Sequence, residues 1–126
     1  MIEEASRWLK QALKDLEAGQ RNFEIGEYYL VAFLAQQAVE KALKALYINK
    51  FRESTQTHSL VFLGKAVGIP EEFLGILRDL TPDFVISRYP DVAGEVPYEI
   101  YDDNIAKRKL ENAKKVVEWV KRELQR

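Results

Sequence analysis

Val31–Ile48 reads VAFLAQQAVEKALKALYI. Its alanines, leucines and lysines are strong helix formers, and no glycine or proline interrupts them. Extended to about Glu27 and Lys50, the segment predicts a rod of about 36 Å at 1.5 Å per residue. Plotted at 100° per residue, Gln36, Gln37, Glu40, Lys41 and Lys44 fill one arc, which is apolar again before them (Tyr29, Leu30, Phe33) and after them (Tyr47, Ile48). The polar groups therefore form an island rather than a face. Three readings fit such an island. It is a locally solvated surface, the hydrogen-bonded centre of a homodimer interface flanked by aromatics, or a pocket in which amides and a Lys/Glu pair orient a polar ligand. Tyr28, Tyr29, Phe33, Tyr47 and Phe51 are much aromatic area for one helix in a small chain, which favours the interface.

Outward from that rod the chain reads as helices throughout. Trp8, Leu9, Ala12, Leu13, Leu16 and Phe23 form an apolar stripe over about Glu3 to Phe23, and Gly26 is placed to reverse the chain. After the polar stretch FRESTQT, Thr57 or Ser59 is positioned to cap a short helix from Leu60 to Val67, ended by Gly68. Pro70-Glu71-Glu72 is a helix start carrying Phe73, Leu74, Leu77 and Leu80, with a pause at Thr81-Pro82 before Phe84, Val85 and Ile86. SRYPDVAGEVPYEIY, with two prolines and a glycine, is expected to be a loop. Asp102 or Asp103 caps a last helix to about Gln125, whose Ala106, Leu110, Ala113, Val117, Val120 and Leu124 recur at spacings of four and three. No segment alternates as a half-buried strand does. The expected fold is all-α: one domain over residues 1–126, an up-and-down four-helix-type bundle with an additional short helix.

Composition narrows the chemistry. With 126 residues, 47% hydrophobic and 31% charged, the chain can bury a core without staples, and a formal net charge of −1 does not mark a general nucleic-acid binder. There is no cysteine, hence no disulfide and no thiolate chemistry, and one histidine without a Glu-x-x-His pattern offers no metal site. No Walker loop, dinucleotide glycine pattern or hydrolase elbow is present, and no cofactor is expected. The charged N-terminus MIEEASRWLK lacks a signal-peptide core and no apolar run approaches a membrane span, so a cytoplasmic location is expected.

Two places carry candidate chemistry. His58 and Arg52 share the FRESTQTH loop; a metal-independent RNase needs such a pair, histidine to move the hydroxyl or leaving-group proton and arginine to stabilise charge on phosphorus. The plainer reading is a helix-start histidine bonded to backbone or carboxylate. In SRYPD, Arg88 is suited to grip a phosphate bidentately and Tyr89 to stack on a base, unless Arg88 and Asp91 form a local ion pair and Tyr89 plugs the bundle end. The basic residues of the last helix (Lys107, Arg108, Lys109, Lys114, Lys115, Lys121, Arg122) are read as a solvated face pairing with acids of the 71–103 segment, RNA contact being the second reading.

The AQQAVEKALKALYI helix, THSL opening the short third helix, SRYPD before the irregular stretch and the basic closing helix together resemble the HEPN domain family, in order and over nearly the whole chain. The resemblance implies an α-helical bundle, usually a homodimer, often encoded as the partner of a small nucleotidyltransferase in toxin–antitoxin pairs. It also implies nucleotide binding in some members and metal-independent RNase activity through an Arg-x4–6-His motif in many. The formal match here is Arg52 to His58; those RNases carry the pair near the start of the closing helix, where this chain has IYDDNIAKRK and no histidine. The leading expectation is a HEPN-type binding protein. It dimerises through its second helix, partners a minimal nucleotidyltransferase, and binds a nucleotide or RNA around Gln36, Gln37, Glu40, Lys41, Arg88, Tyr89 and Asp91. The alternatives are an endoribonuclease toxin using Arg52 and His58, and a structural dimerisation bundle without ligand.

Overall fold

A computed structural model describes residues 1–126. Three long helices dominate it: α1 (Glu3–Glu24), α2 (Tyr28–Phe51) and α8 (Asp103–Leu124). Between α2 and α8 run α3 (Leu60–Ala66), a 3-10 turn (Glu71–Phe73), α4 (Leu74–Leu80), α5 (Asp83–Ile86), α6 (Pro90–Ala93) and α7 (Pro97–Ile100). There is no strand. Gly26, at φ +79°, takes the left-handed conformation that reverses the chain between α1 and α2. The two helices then run antiparallel, so that the backbone N–H of Ile2 donates to Asn49 Oδ1 at 2.9 Å across their far ends.

The core explains why α2 is apolar nearly all round: it is the central rod. Ala35, Ala38, Ala42 and Ala45 are wholly buried, and their small side chains let α1 and α8 approach closely, against Ala5, Ala12 and Ala113. The predicted seam of α8 is buried along its whole length, and Asp102 caps the helix by accepting from the N–H of Ile105 at 2.8 Å. Ser59 caps α3 in the same way, through the N–H of Phe62. Phe73 lies against Trp119 near the end of α8, whereas Phe84 lies against Phe33 near the start of α2. The short helices thus climb in relay past α2 and supply the fourth position of an up-and-down bundle.

The relay has more helix than expected. SRYPDVAGEVPYEIY is not a plain loop: Pro90 and Pro97 each occupy the first turn of a one-turn helix, where a missing N–H costs nothing, and Gly94 at φ +72° separates the two. The pause at Thr81-Pro82 is real, with Thr81 Oγ1 donating back to Leu77 O at 2.8 Å. No helix is long and apolar enough to cross a membrane.

Candidate functional site

The polar island of α2 is enclosed by its own chain. Gln36 is 0% and Glu40 4% exposed. Glu40 accepts from Gln36 Nε2 at 3.1 Å and Lys44 Nζ at 3.0 Å, and Gln37 Nε2 donates to Gln36 Oε1 at 2.8 Å. Lys41, half-buried, turns to α1 and meets Asp15 Oδ2 at 2.6 Å, while Gln11 Nε2 donates to Asp15 Oδ1. Lys44 also lies 5.5 Å from the centre of the Trp8 ring. A buried carboxylate persists only when its charge is matched and its lone pairs are occupied, and these contacts do both.

Glu40 has one further partner, and it leads outward. His58 Nδ1 lies 3.0 Å from Glu40 Oε1 although the histidine side chain is half-exposed. A carboxylate can only accept, so neutral His58 carries its proton on Nδ1 and presents a bare Nε2 to solvent. The imidazole stacks on Phe84, with ring centres 3.9 Å apart and planes at 17°. Phe84 has a second tenant. The Arg88 guanidinium carbon is 4.4 Å from the Phe84 ring centre, 4.7 Å from that of Phe33 and 4.9 Å from that of Tyr89. Arg88 Nε donates to Phe84 O at 2.7 Å, which leaves both terminal amino groups without a protein partner. Three rings and one hydrogen bond thus hold a guanidinium in place at the surface, its paired donors free for the oxygens of a phosphate.

The predicted site residues divide accordingly. Gln36, Gln37, Glu40 and Lys41 serve the α1–α2 interior, with Glu40 alone reaching the surface group through His58. His58, Arg88 and Tyr89 converge on Phe84 and Phe33. Arg52 takes the left-handed C-cap position of α2, φ 58°, and its side chain makes no hydrogen bond or ion pair; His58 and Arg88 each pack on Phe84, and Arg52 does not. Asp91 is exposed and forms no ion pair with Arg88, and Tyr89 is 45% exposed rather than a plug. Phe84 is the member that sequence reading missed. Its signal was the i, i+4 spacing to Arg88.

A buried ion pair sets the position of α5, and with it Phe84. Lys109 is not part of a solvated face: it is buried, with Nζ 2.5 Å from Asp83 Oδ2 and donating to Asp79 O at 2.9 Å. Asp83 Oδ2 has no directed hydrogen bond and meets only this ammonium, whereas Oδ1 accepts from Tyr101 OH at 2.6 Å. Burial holds the Asp83 carboxyl above its ordinary value against the opposing pull of Lys109. Burial first, then the bond to Asp83, pushes the Tyr101 hydroxyl far above the usual phenol value. Arg108 pairs with Asp79 at 3.2 Å, so the closing helix does engage acids of the 71–103 segment as expected.

Comparison with known proteins agrees with this architecture. The family model described as HEPN domain matches residues 5–123. Among solved structures the chain is similar to TT1696 from Thermus thermophilus, at 29% identity and a TM-score of 0.89, covering 96% of this chain and 98% of that one. It is similar also to ST0689, an archaeal HEPN homologue, at 33% identity and a TM-score of 0.80, with 94% and 96% covered. A HEPN domain protein from Thermotoga maritima (tm0613) aligns at 27% identity and a TM-score of 0.74, with 95% and 98% covered. A search of curated proteins found no match.

Proposed function

The chain belongs to the HEPN domain family, and from that premise we propose that it is a nucleotide-binding partner subunit of a minimal nucleotidyltransferase, of the toxin–antitoxin kind. The observation that carries the binding part is the Arg88 guanidinium, clamped by Phe33, Phe84 and Tyr89 with its terminal donors free. A phosphate takes the guanidinium, which Tyr89 helps to hold in place. Family membership supports the nucleotidyltransferase, the homodimer and the cytoplasmic setting. Because the middle of α2 is already covered within one chain, a second copy sits on its aromatic ends, around Tyr47 and Phe51.

A second reading has a specific observation behind it. Glu40 orients His58 as a base, and Arg88 stands on the same ring, so metal-independent cleavage of RNA would use His58 with Arg88 in the place expected of Arg52. Titration of AMP and GMP, followed by calorimetry, tests the binding reading. Arg88→Ala should weaken binding by about tenfold or more, as loss of a charge-assisted phosphate contact does. Undiminished binding refutes it. RNA cleavage in EDTA that disappears in His58→Ala and survives in Arg52→Ala would establish the second reading in its stead.

A further inference from the structure

Next to Arg88 is a surface pocket of about 440 Å3, within the range of roughly 300–1,000 Å3 typical of small-molecule sites. Glu27, Tyr29, Arg88, Val96, Pro97 and Tyr98 line it. It lies between the start of α2 and the one-turn helix α7, whose buried Pro97 anchors Tyr98 while leaving that residue 64% exposed. Glu27 stands at the N-cap of α2, where its backbone bonds to Asn22, Leu30 and Val31, but its side chain does not cap and enters no hydrogen bond or ion pair. Arg88 and Glu27 share the pocket without pairing with each other. A carboxylate and a guanidinium that do not pair with each other, in one lining with two tyrosines, match a flat ligand that carries donors at one edge and an anionic group.

We propose that this pocket takes the base of a guanine nucleotide. Glu27 accepts from the base edge, Tyr29 and Tyr98 form the walls, and Arg88 holds the phosphate. The inference rests on the nucleotide-binding reading above and gives it a base preference. Guanine presents two adjacent donors, N1–H and the N2 amino group, which one carboxylate can accept together. Adenine presents one donor beside the N1 lone pair, and that lone pair faces the carboxylate repulsively. Hypoxanthine keeps N1–H and lacks the second donor, so it ranks between. The wild-type protein should bind GMP about tenfold more tightly than AMP, the scale of one charge-assisted hydrogen bond in an open pocket, with IMP intermediate. Glu27→Gln replaces one acceptor by an amide donor, which suits adenine as paired amide contacts do. It should abolish or invert the GMP preference while AMP still binds. Glu27 is exposed and its side chain is without partners, so the variant is expected to fold.

Calorimetric titration of AMP, IMP and GMP into both proteins distinguishes the outcomes. Nucleotides that bind Arg88-dependently with no GMP preference, or a preference that persists in Glu27→Gln, overturn the guanine pocket and leave the binding reading standing. Binding of none of the three overturns both. Loss of the GMP preference in Glu27→Gln alone supports the proposal.

Discussion

Replacing Lys109 by methionine tests the device that places the candidate site. Lys109→Met keeps most of the aliphatic volume and removes the only cation that meets Asp83, whose side chain and that of Lys109 are 5% and 7% exposed. Solvent screens such a pair little. Breaking a buried pair by removing one partner costs about 3–5 kcal/mol, because the other charge stays buried and unmatched. At the urea dependence usual for a small domain, that lowers the midpoint by about 2 M. Asp83→Asn added to Lys109→Met removes the stranded charge and should restore about 1–2 kcal/mol. The pH dependence follows from the direction of the Asp83 shift. Its folded-state value is raised, so the stability it contributes is fully present below its ordinary 3.8 and is lost as pH rises through the folded value. Without Lys109, whose charge lowers that value, the folded value rises further. The deficit of Lys109→Met should therefore be widest at neutral pH and narrow as pH falls toward 4. Equilibrium urea unfolding by circular dichroism at several pH values measures it. A loss under about 1 kcal/mol at pH 7, or a double variant no more stable than the single one, refutes the reasoning.

Gly64→Ala should destabilise by about 1–3 kcal/mol despite alanine's helix preference of roughly 1 kcal/mol: the new Cβ runs into Leu77 Cδ1 and stands 3.0 Å from Ile69 Cγ2, and Leu77 is wholly buried and cannot swing out. Thermal unfolding settles the sign, and a stabilised variant would show that α3 and α4 have slack. His58 is the only histidine, so its ring nitrogens give unambiguous NMR signals. In the neutral ring they should report the Nδ1–H form in the wild type and a shift toward Nε2–H in Glu40→Leu; Nε2–H predominating in the neutral wild type contradicts the assigned bond.

Local signals were legible in the sequence because their partners lie a few residues away. Ser59 and Asp102 cap over a span of three residues, Gly26 turns the chain by itself, and the α8 seam needs only its own period. What the sequence hid is set by distant partners. Lys41 finds Asp15 from 26 positions away and Glu40 finds His58 from 18, so the arc that suggested a partner molecule is covered by α1 and by the start of α3. Lys109 sits among exposed cations in sequence, and only the fold of the 79–83 segment onto α8 shows that it is internal. Arg88 was legible as a loop cation, but its clamp was not. Phe33 and Phe84 come from different helices and meet only after the relay has climbed past α2.

The question raised by the polar island has a physical answer that ties fold to site. Apolar residues of similar volume at positions 36, 40 and 44 would satisfy the interior of α2 as well or better, since buried ion pairs seldom outcompete good packing. What such residues would lose is the one contact that leaves the core. Lys44 and Gln36 together balance the Glu40 carboxylate and fill its lone pairs, so it remains a buried acceptor aimed at the imidazole from beneath. From above, Phe84 fixes the ring plane, and Phe84 in turn is placed by Asp83 and Lys109. Two buried ion pairs, one on α2 and one between α5 and α8, thus converge on the orientation of a single exposed histidine and of the arginine that shares its aromatic neighbour. Stability alone does not require that convergence; the proposed phosphate contact would use it.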